Sequence, residues 1–202
     1  MSTVAFFIDG FNLYHSIDAY KKYHKYKWLN LKQLASILVK KSDLISNIYY
    51  FTALAAWDQK KVIKHRSLIR ALEHEGIQVV YGRFKDRDKR CPNCKKSYRV
   101  PEEKQTDVNI AITLLTSAML DEFDTSIILS GDSDLIPSIK AVKKYFPAKT
   151  IGIAIPIGRN ANELIQISDF HIRIKEKHLA ASIFPDEIDI NGKKILKPSG
   201  WC

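Results

Sequence analysis

The chain has 202 residues, 46% of them apolar and 10% aromatic, which suits one α/β domain with a sizeable core. This composition excludes a disordered chain and a collagen-like one. No apolar run approaches the roughly 18 residues that a membrane span needs, and the run at 4–8 is too short for a signal peptide. With only three cysteines, the sequence predicts a cytoplasmic protein that does not enter a membrane.

Charge gives the first indication of a partner. The chain has 32 Lys and Arg against 22 Asp and Glu, a net charge of +10, which favours a polyanion such as nucleic acid. Residues 83–99 carry eight basic side chains, and residues 20–28 interleave four lysines with three tyrosines and Trp28. Such mixtures can grip phosphates and stack on unpaired bases, although a lysine-rich surface that serves solubility alone is the alternative.

Short apolar strands alternate with helical patterns along the chain. Strands are predicted at residues 4–8, 45–52, 77–81, 126–129, 150–155 and 171–174. Helices are predicted at residues 11–20, 31–38, 58–76, 108–119 and 135–146. This alternation implies right-handed crossovers and a central, mostly parallel sheet of five or six strands with helices on both faces.

Two predictions concern single elements and boundaries. The spacing of Val108, Ile112, Leu115 and Met119 predicts the apolar stripe of an amphipathic helix. We assign residues 1–175 to one domain with a basic insertion at about 83–103, and residues 176–202 to a C-terminal tail.

Acidic residues follow two of the predicted strands and begin a helix. Asp9 ends the first strand, Asp132 and Asp134 follow the fourth, and Asp107 lies on the first turn of the helix before it. Each carboxylate alone is explained by helix capping. Gathered at the carboxyl edge of a parallel sheet, they would repel by roughly 4 kcal/mol per close pair, which a cation would offset. An oxygen-only set suits Mg²⁺ or Mn²⁺.

Three motifs carry a family resemblance. Phe7-Ile8-Asp9-Gly10-Phe11-Asn12-Leu13, Glu103-Lys104-Gln105-Thr106-Asp107-Val108 and Ser130-Gly131-Asp132-Ser133-Asp134-Leu135 resemble, in order and spacing, the acidic motifs of the NYN (LabA-like) family of PIN-like ribonucleases. The resemblance covers about residues 3–174. It implies a PIN-like Rossmannoid fold and a metal-dependent endoribonuclease acting on single-stranded or structured RNA. PIN-like domains often pair, so a homodimer is a further expectation.

The resemblance also implies roles for individual residues. Asp9 and Asp132 would be inner-sphere metal ligands, Asp107 and Asp134 would hold metal or water, and Asn12 would orient a carboxylate or water. Water would then attack phosphorus in line and leave a 5′-phosphate and a 3′-hydroxyl. Candidate phosphate-binding residues are Lys104, Arg159, Arg83, Lys85, Arg87 and Arg90, for each of which a plain surface charge is the alternative.

Cys91 and Cys94 form a single CxxC pair inside the basic insertion. A Zn²⁺ site would need two more ligands, for which only distant residues such as His65 or Cys202 are available. A reduced turn with Pro92 at its tip is the alternative.

Other functions remain open from the sequence alone. A non-catalytic RNA-binding or regulatory NYN module is the main alternative to a nuclease, and a phosphohydrolase of another Rossmannoid type is the next. A dinucleotide enzyme is disfavoured because no GxGxxG follows the first strand.

Overall fold

The structure, a computed structural model, describes residues 2–201, and Met1 and Cys202 lie outside it. The central strands, numbered in chain order, are β1 (Thr3–Asp9), β2 (Leu44–Thr52), β3 (Gln78–Tyr81), β6 (Thr125–Leu129), β7 (Thr150–Ile155) and β8 (Phe170–Arg173). They form one sheet in the order β3-β2-β1-β6-β7-β8, and every neighbouring pair is parallel. The predicted sheet is therefore confirmed.

Helices cover both faces of this sheet. One face carries α1 (Gly10–Asp18), α2 (Leu31–Leu38), α3 (Gln59–His74) and α7 (Glu176–Ala180), and the other carries α4 (Thr106–Met119), α5 (Ile136–Tyr145) and α6 (Asn162–Ile167). Strand β1 contributes side chains to the hydrophobic cores on both sides of the sheet, because its successive side chains point to opposite faces. Phe6 and Ile8 enter the first core, and Ala5 and Phe7 enter the second.

Two predicted helix features, a cap and a buried face, are confirmed by the structure. Asp58 caps α3 by accepting a hydrogen bond of 3.1 Å from the backbone N–H of Lys61. Leu135, Ile139 and Val142 pack together in the second core. Among residues 2–201, no helix is both long enough and apolar enough to cross a membrane.

Helix α4 contradicts the prediction of its buried face. The stripe predicted to pack inward is exposed, with relative exposures of 58% for Val108, 56% for Ile112, 38% for Leu115 and 64% for Met119. The residues that face the sheet are instead Ile110, Leu114 and Ala118. The helix carries one charged residue, Asp107, and has apolar side chains on more than one face. The face that packs on the sheet is the one that also carries the small residues Ser117 and Ala118.

The predicted insertion is an exposed two-stranded hairpin. Strands β4 (Arg83–Arg90) and β5 (Ser97–Lys104) pair antiparallel, from Arg83 opposite Lys104 at the base to Arg90 opposite Ser97 near the tip. The hairpin leaves the sheet just after β3 and returns directly into α4. Its base therefore lies at the carboxyl edge of the sheet.

The C-terminal segment, where the sequence pattern fades, folds against the first core. A hairpin of β9 (Glu187–Ile190) and β10 (Lys193–Leu196) follows α7. The ring of Trp201 lies 6.4 Å from that of Trp28, which also packs at 5.5 Å on Phe184. All three are buried, so residues beyond 176 help to close this face.

Candidate active site

The two central strands place the first acidic side chains. Strands β1 and β6 are neighbours, and the chain crosses from them to opposite sides of the sheet. Ile8 pairs with Leu129, so Asp9 and Ser130 follow at the same level. This is the switch point of an open α/β sheet, where ligand clefts form.

Asp9 is 4% exposed and is held at both carboxylate oxygens. Its Oδ1 accepts a hydrogen bond of 2.9 Å from the backbone N–H of Asn12, which caps α1. Its Oδ2 accepts one of 2.9 Å from the hydroxyl of Ser130. The helix-cap alternative is therefore correct for Asp9, and the bond to Ser130 adds a link that capping does not require.

The loop after β6 is tied to the same point. Ser130 Oγ accepts a hydrogen bond of 3.1 Å from the backbone N–H of Asp132. The backbone N–H of Gly131 donates at 3.0 Å to Asn12 Oδ1, so Asn12 positions this loop through its side-chain oxygen. Asp132 Oδ1 accepts at 3.0 Å from the backbone N–H of Asp134, whose own side chain is exposed.

The base of the hairpin supplies two further acids. Glu103, near the end of β5, accepts a hydrogen bond of 3.2 Å from the backbone N–H of Thr106. Between them Gln105 has a φ of 79°, a left-handed conformation that is uncommon for a residue with a side chain. This reversal of the chain brings Asp107, on the first turn of α4, to the same edge as Glu103.

Burial and the neighbouring carboxylates both raise pKa values at this edge of the sheet. Burial, followed by the charges of Asp132 and Glu103, raises the pKa of Asp9, while its hydrogen bonds act in the opposite direction. Burial and then the charges of Asp132, Asp9, Glu103 and Asp134 raise the pKa of Asp107 to about 6. None of the ion pairs among residues 2–201 involves any of these five acids.

The acidic edge fits a hard divalent cation in donor type and in charge. Each oxygen of Asp9 accepts one hydrogen bond and keeps a second lone pair, and all the acidic donors are carboxylate oxygens, which Mg²⁺ and Mn²⁺ prefer. Within the described part of the chain, no group of three or more His, Cys, Asp or Glu side chains is already arranged to hold an ion.

The predicted phosphate-binding residues lie in two separate places, the loop after β7 and the hairpin of β4 and β5. Arg159, in the loop after β7, is exposed and lies beside Gly131, which lines a groove of about 330 Å³. Arg83, Lys85 and Arg87 share one face of the hairpin with Lys104, because directly paired and alternate residues lie on the same face. Arg90 lies on the opposite face.

Two of these hairpin residues already have partners. Glu102 accepts a hydrogen bond of 3.0 Å from Arg87 and forms an ion pair at 3.3 Å with Lys104. Arg83 and Lys85 are both exposed. The charge available for a polyanion on this face therefore comes mainly from Arg83, Lys85 and Lys89.

The lysine and tyrosine segment is mostly structural, contrary to its interpretation as a base-stacking surface. It forms a 3₁₀-helix, Lys21–Lys27, in which the buried Tyr26 donates a hydrogen bond of 2.9 Å to Glu176. Trp28 is buried and donates its indole N–H to the carbonyl of Pro185 at 2.8 Å. Tyr20 is 50% exposed and borders Gly158 near Arg159, so it alone among these aromatic residues flanks the acidic edge from solvent.

The cysteine pair lies far from the acids. Cys91 and Cys94 are free thiols in the turn that joins β4 to β5, about 24 Å along the hairpin from its base. Backbone hydrogen bonds from Cys94 and Asn93 lower the pKa of the Cys91 thiol. The described residues supply no third ligand beside them, which leaves the zinc hypothesis unsupported, and Cys202 lies outside the described residues.

Sequence reasoning missed Glu103 and Ser130 as members of the site. Both stand inside the quoted motifs, and the alignment of strand ends would have placed Ser130 beside Asp9. Glu103 could not be placed, because its position depends on the left-handed turn at Gln105.

A parallel α/β sheet with converging carboxylates at its switch point defines the class of fold seen in PIN-like nucleases. The profile of the NYN domain matches residues 3–175, and the chain belongs to this family. The predicted family and fold are thereby confirmed. The family is one of nucleases that typically use divalent metals, and it indicates RNA as a class of substrate.

Two individual proteins are also similar to this chain. The 6-hydroxy-3-succinoylpyridine 3-monooxygenase HspA of Pseudomonas putida is 25% identical over 236 aligned residues, which cover 96% of this chain and 74% of that protein. A protein of unknown function from Vibrio parahaemolyticus has a solved structure that superposes with a TM-score of 0.62 at 18% identity. That match covers 87% of this chain and 94% of the other and supports the fold alone.

Proposed function

We propose that this protein is a metal-dependent endoribonuclease that hydrolyses phosphodiester bonds in RNA. The observation that carries the proposal is that Asp9 and the backbone of Asp132 meet at the hydroxyl of Ser130 at the switch point, with Asp107 near enough for their charges to raise its pKa. Like charges gathered without a basic partner destabilise the folded chain, and helix capping does not require them to converge. Membership of a nuclease family gives that arrangement its most direct explanation.

Each residue at the acidic edge would have its own role in the reaction. Asp9 and Asp132 would hold Mg²⁺ or Mn²⁺ with help from Asp107 or Asp134, and the bound ion would supply charge to the phosphate and acidity to water. Ser130 and Asn12 would keep Asp9 and the loop after β6 in position. Asp107, on the first turn of α4 at the same edge, would orient the attacking water and accept its proton.

Attack on phosphorus would form the new bond from the water oxygen and break the bond to the 3′-oxygen. The 3′-oxygen takes a proton from solvent water and leaves as a hydroxyl, and the 5′-phosphate remains on the other fragment. Arg159 would contact a phosphate beside this point. We place the activity in the cytoplasm, where free thiols such as Cys91 and Cys94 persist.

The test is cleavage of labelled single-stranded RNA with Mn²⁺ or Mg²⁺, with EDTA as one control. Asp132→Asn should lower the rate at least about 100-fold, as loss of an electrostatic catalytic group does. Asp43→Asn, at the opposite edge of the sheet, should leave the rate unchanged. Cleavage that survives both EDTA and Asp132→Asn would contradict the proposal.

A second measurement separates binding from cutting. Mn²⁺ should raise the melting temperature of the wild type, because a ligand that binds only the folded state stabilises it, and Asp132→Asn should reduce that shift. Stabilisation by Mn²⁺ and salt-dependent RNA binding without any cleavage would favour the regulatory NYN module instead.

A further inference from the structure

A row of aromatic side chains runs outward from the acidic edge. Trp57 lies in the loop between β2 and α3, and its ring centroid is 4.5 Å from that of Phe84 in an edge-to-face contact. Phe84 in turn lies 5.5 Å from Phe11, again edge to face. We call Trp57, Phe84 and Phe11 the aromatic row.

The Phe11 end of the aromatic row adjoins the acidic residues. Phe11 stands two residues after Asp9, on the first turn of α1. Phe84 pairs with Glu103 across the hairpin and shares its face, and the charge of Glu103 acts on both Asp9 and Asp107. The aromatic row therefore begins at the carboxylates and ends at Trp57.

Trp57 is not part of the hydrophobic core. The other two tryptophans, Trp28 and Trp201, are 0% and 7% exposed, whereas Trp57 is 53% exposed. A large aromatic ring held at the surface by a neighbouring ring, in a row with two others, is typical of a binding surface. The row connects Trp57 to the acidic edge through Phe84 and Phe11, which indicates a ligand that also reaches the acids.

The charge of the hairpin and of the whole chain distinguishes between ligands. Arg83 and Lys85, the chain neighbours of Phe84, are exposed on the opposite face of the same hairpin, and the chain carries a net charge of +10. This positive charge favours a polyanion over an apolar protein segment. An exposed aromatic ring can stack on an unpaired base, whose faces are hidden in a duplex.

We propose that an unpaired nucleobase of single-stranded RNA stacks on Trp57 and so sets which phosphodiester bond meets the acidic edge. This inference rests on the proposed function for its substrate. It adds the requirement for an unpaired strand, and it assigns Trp57 as a binding residue.

The test uses the full chain in EDTA, so that no RNA is cut. Because the other tryptophans are buried, quenching of exposed tryptophan emission by a short oligouridylate reports on Trp57 directly. Duplex RNA and inorganic polyphosphate are the comparison ligands. Anisotropy of labelled oligouridylate gives the affinities of Trp57→Leu, Trp57→Phe and the control Tyr145→Leu, which removes an exposed ring at the far end of α5.

Oligouridylate should quench the emission, whereas duplex RNA and polyphosphate should not. Trp57→Leu should weaken binding by about five- to 150-fold, the range seen for lost base stacking, and Trp57→Phe should recover part of it. Tyr145→Leu should bind like the wild type. Equal affinity of Trp57→Leu and wild type, or equal quenching by duplex, would overturn the inference.

These outcomes are independent of cleavage. If RNA is cut in an Asp132-dependent manner but Trp57 is not quenched, the nuclease proposal stands and the stacking inference fails. If Trp57 is quenched but no RNA is cut, the stacking surface stands and the nuclease proposal fails.

Discussion

Ser130 and Asp9 share a hydrogen bond of 2.9 Å that joins the carboxyl ends of the two central strands. The same hydroxyl accepts the backbone N–H of Asp132 at 3.1 Å, so one buried oxygen positions two of the acids proposed to bind metal. Both bonds form where solvent is excluded, since Ser130 is 0% exposed.

Ser130→Ala should therefore lower the free energy of unfolding by about 1–3 kcal/mol, because it leaves a buried carboxylate oxygen and the backbone N–H of Asp132 without their partner. Urea denaturation in EDTA measures the change. Ser126→Ala is the matched control on β6, the strand that leads to Ser130, since the buried hydroxyl of Ser126 finds no hydrogen-bond partner among residues 2–201. An equal loss of stability in both variants would contradict the structural role given to Ser130.

Gly10 allows the chain to turn from Asp9 into α1 against strand β2. A Cβ at Gly10 would lie 2.6 Å from the carbonyl oxygen of Phe51 and 2.7 Å from the ring of Tyr50. Gly10→Ala should thus cost about 1–3 kcal/mol of stability, as overpacking does. Gly131→Ala is the control in the other motif, because the nearest atom to its Cβ, Asn12 Oδ1, would be 3.4 Å away. Thermal melting of both should show the larger loss for Gly10→Ala.

His65 gives the fold a specific pH dependence. Burial lowers the pKa of this histidine from 6.5 to about 4, and its Nε2 lies 3.2 Å from the hydroxyl of Thr52. At His65 the unfolded chain binds more protons than the folded one between pH 6.5 and 4, so the contribution of this histidine to stability should fall as the pH falls. Asp107, whose pKa is raised to about 6, contributes in the opposite direction in wild type and variants alike. With allowance for its partial exposure, the loss from His65 should be about 2 kcal/mol.

Urea denaturation at a series of pH values tests this dependence. His65→Gln should flatten the loss between pH 6.5 and 4, whereas His171→Gln, which changes an exposed histidine on β8, should keep the wild-type profile. A wild-type slope in His65→Gln would show that another group controls acid stability.

The sequence was sufficient to predict the sheet and the position of the acids at the strand ends, because both follow from apolar runs and from the direction of parallel strands. It was not sufficient for α4, where two apolar stripes compete and packing against the sheet selects Ile110 over Ile112. Trp28 illustrates the same limit, since its burial depends on contacts with Phe184 and Trp201 more than 150 residues away. Trp57 has no local signal at all, because its neighbour Phe84 comes from the hairpin.

The basic face of the hairpin should govern the salt dependence of RNA binding. Arg83, Lys85 and Lys89 alternate along β4 and so share one face, and each is exposed. Every phosphate contact on a single strand contributes about 0.7 to the slope of log affinity against log salt. Changing all three to Gln should make that slope shallower by about 2, with weaker binding at low salt.

The charge-matched control changes Lys40, Lys41 and Lys144 to Gln. These exposed residues lie at the amino edge of the sheet, away from the acids, and their loss should leave the slope close to that of the wild type. Filter binding in EDTA at several salt concentrations gives both slopes. Identical slopes for the two triple variants would mean that net charge, and not the face of the hairpin, attracts the RNA.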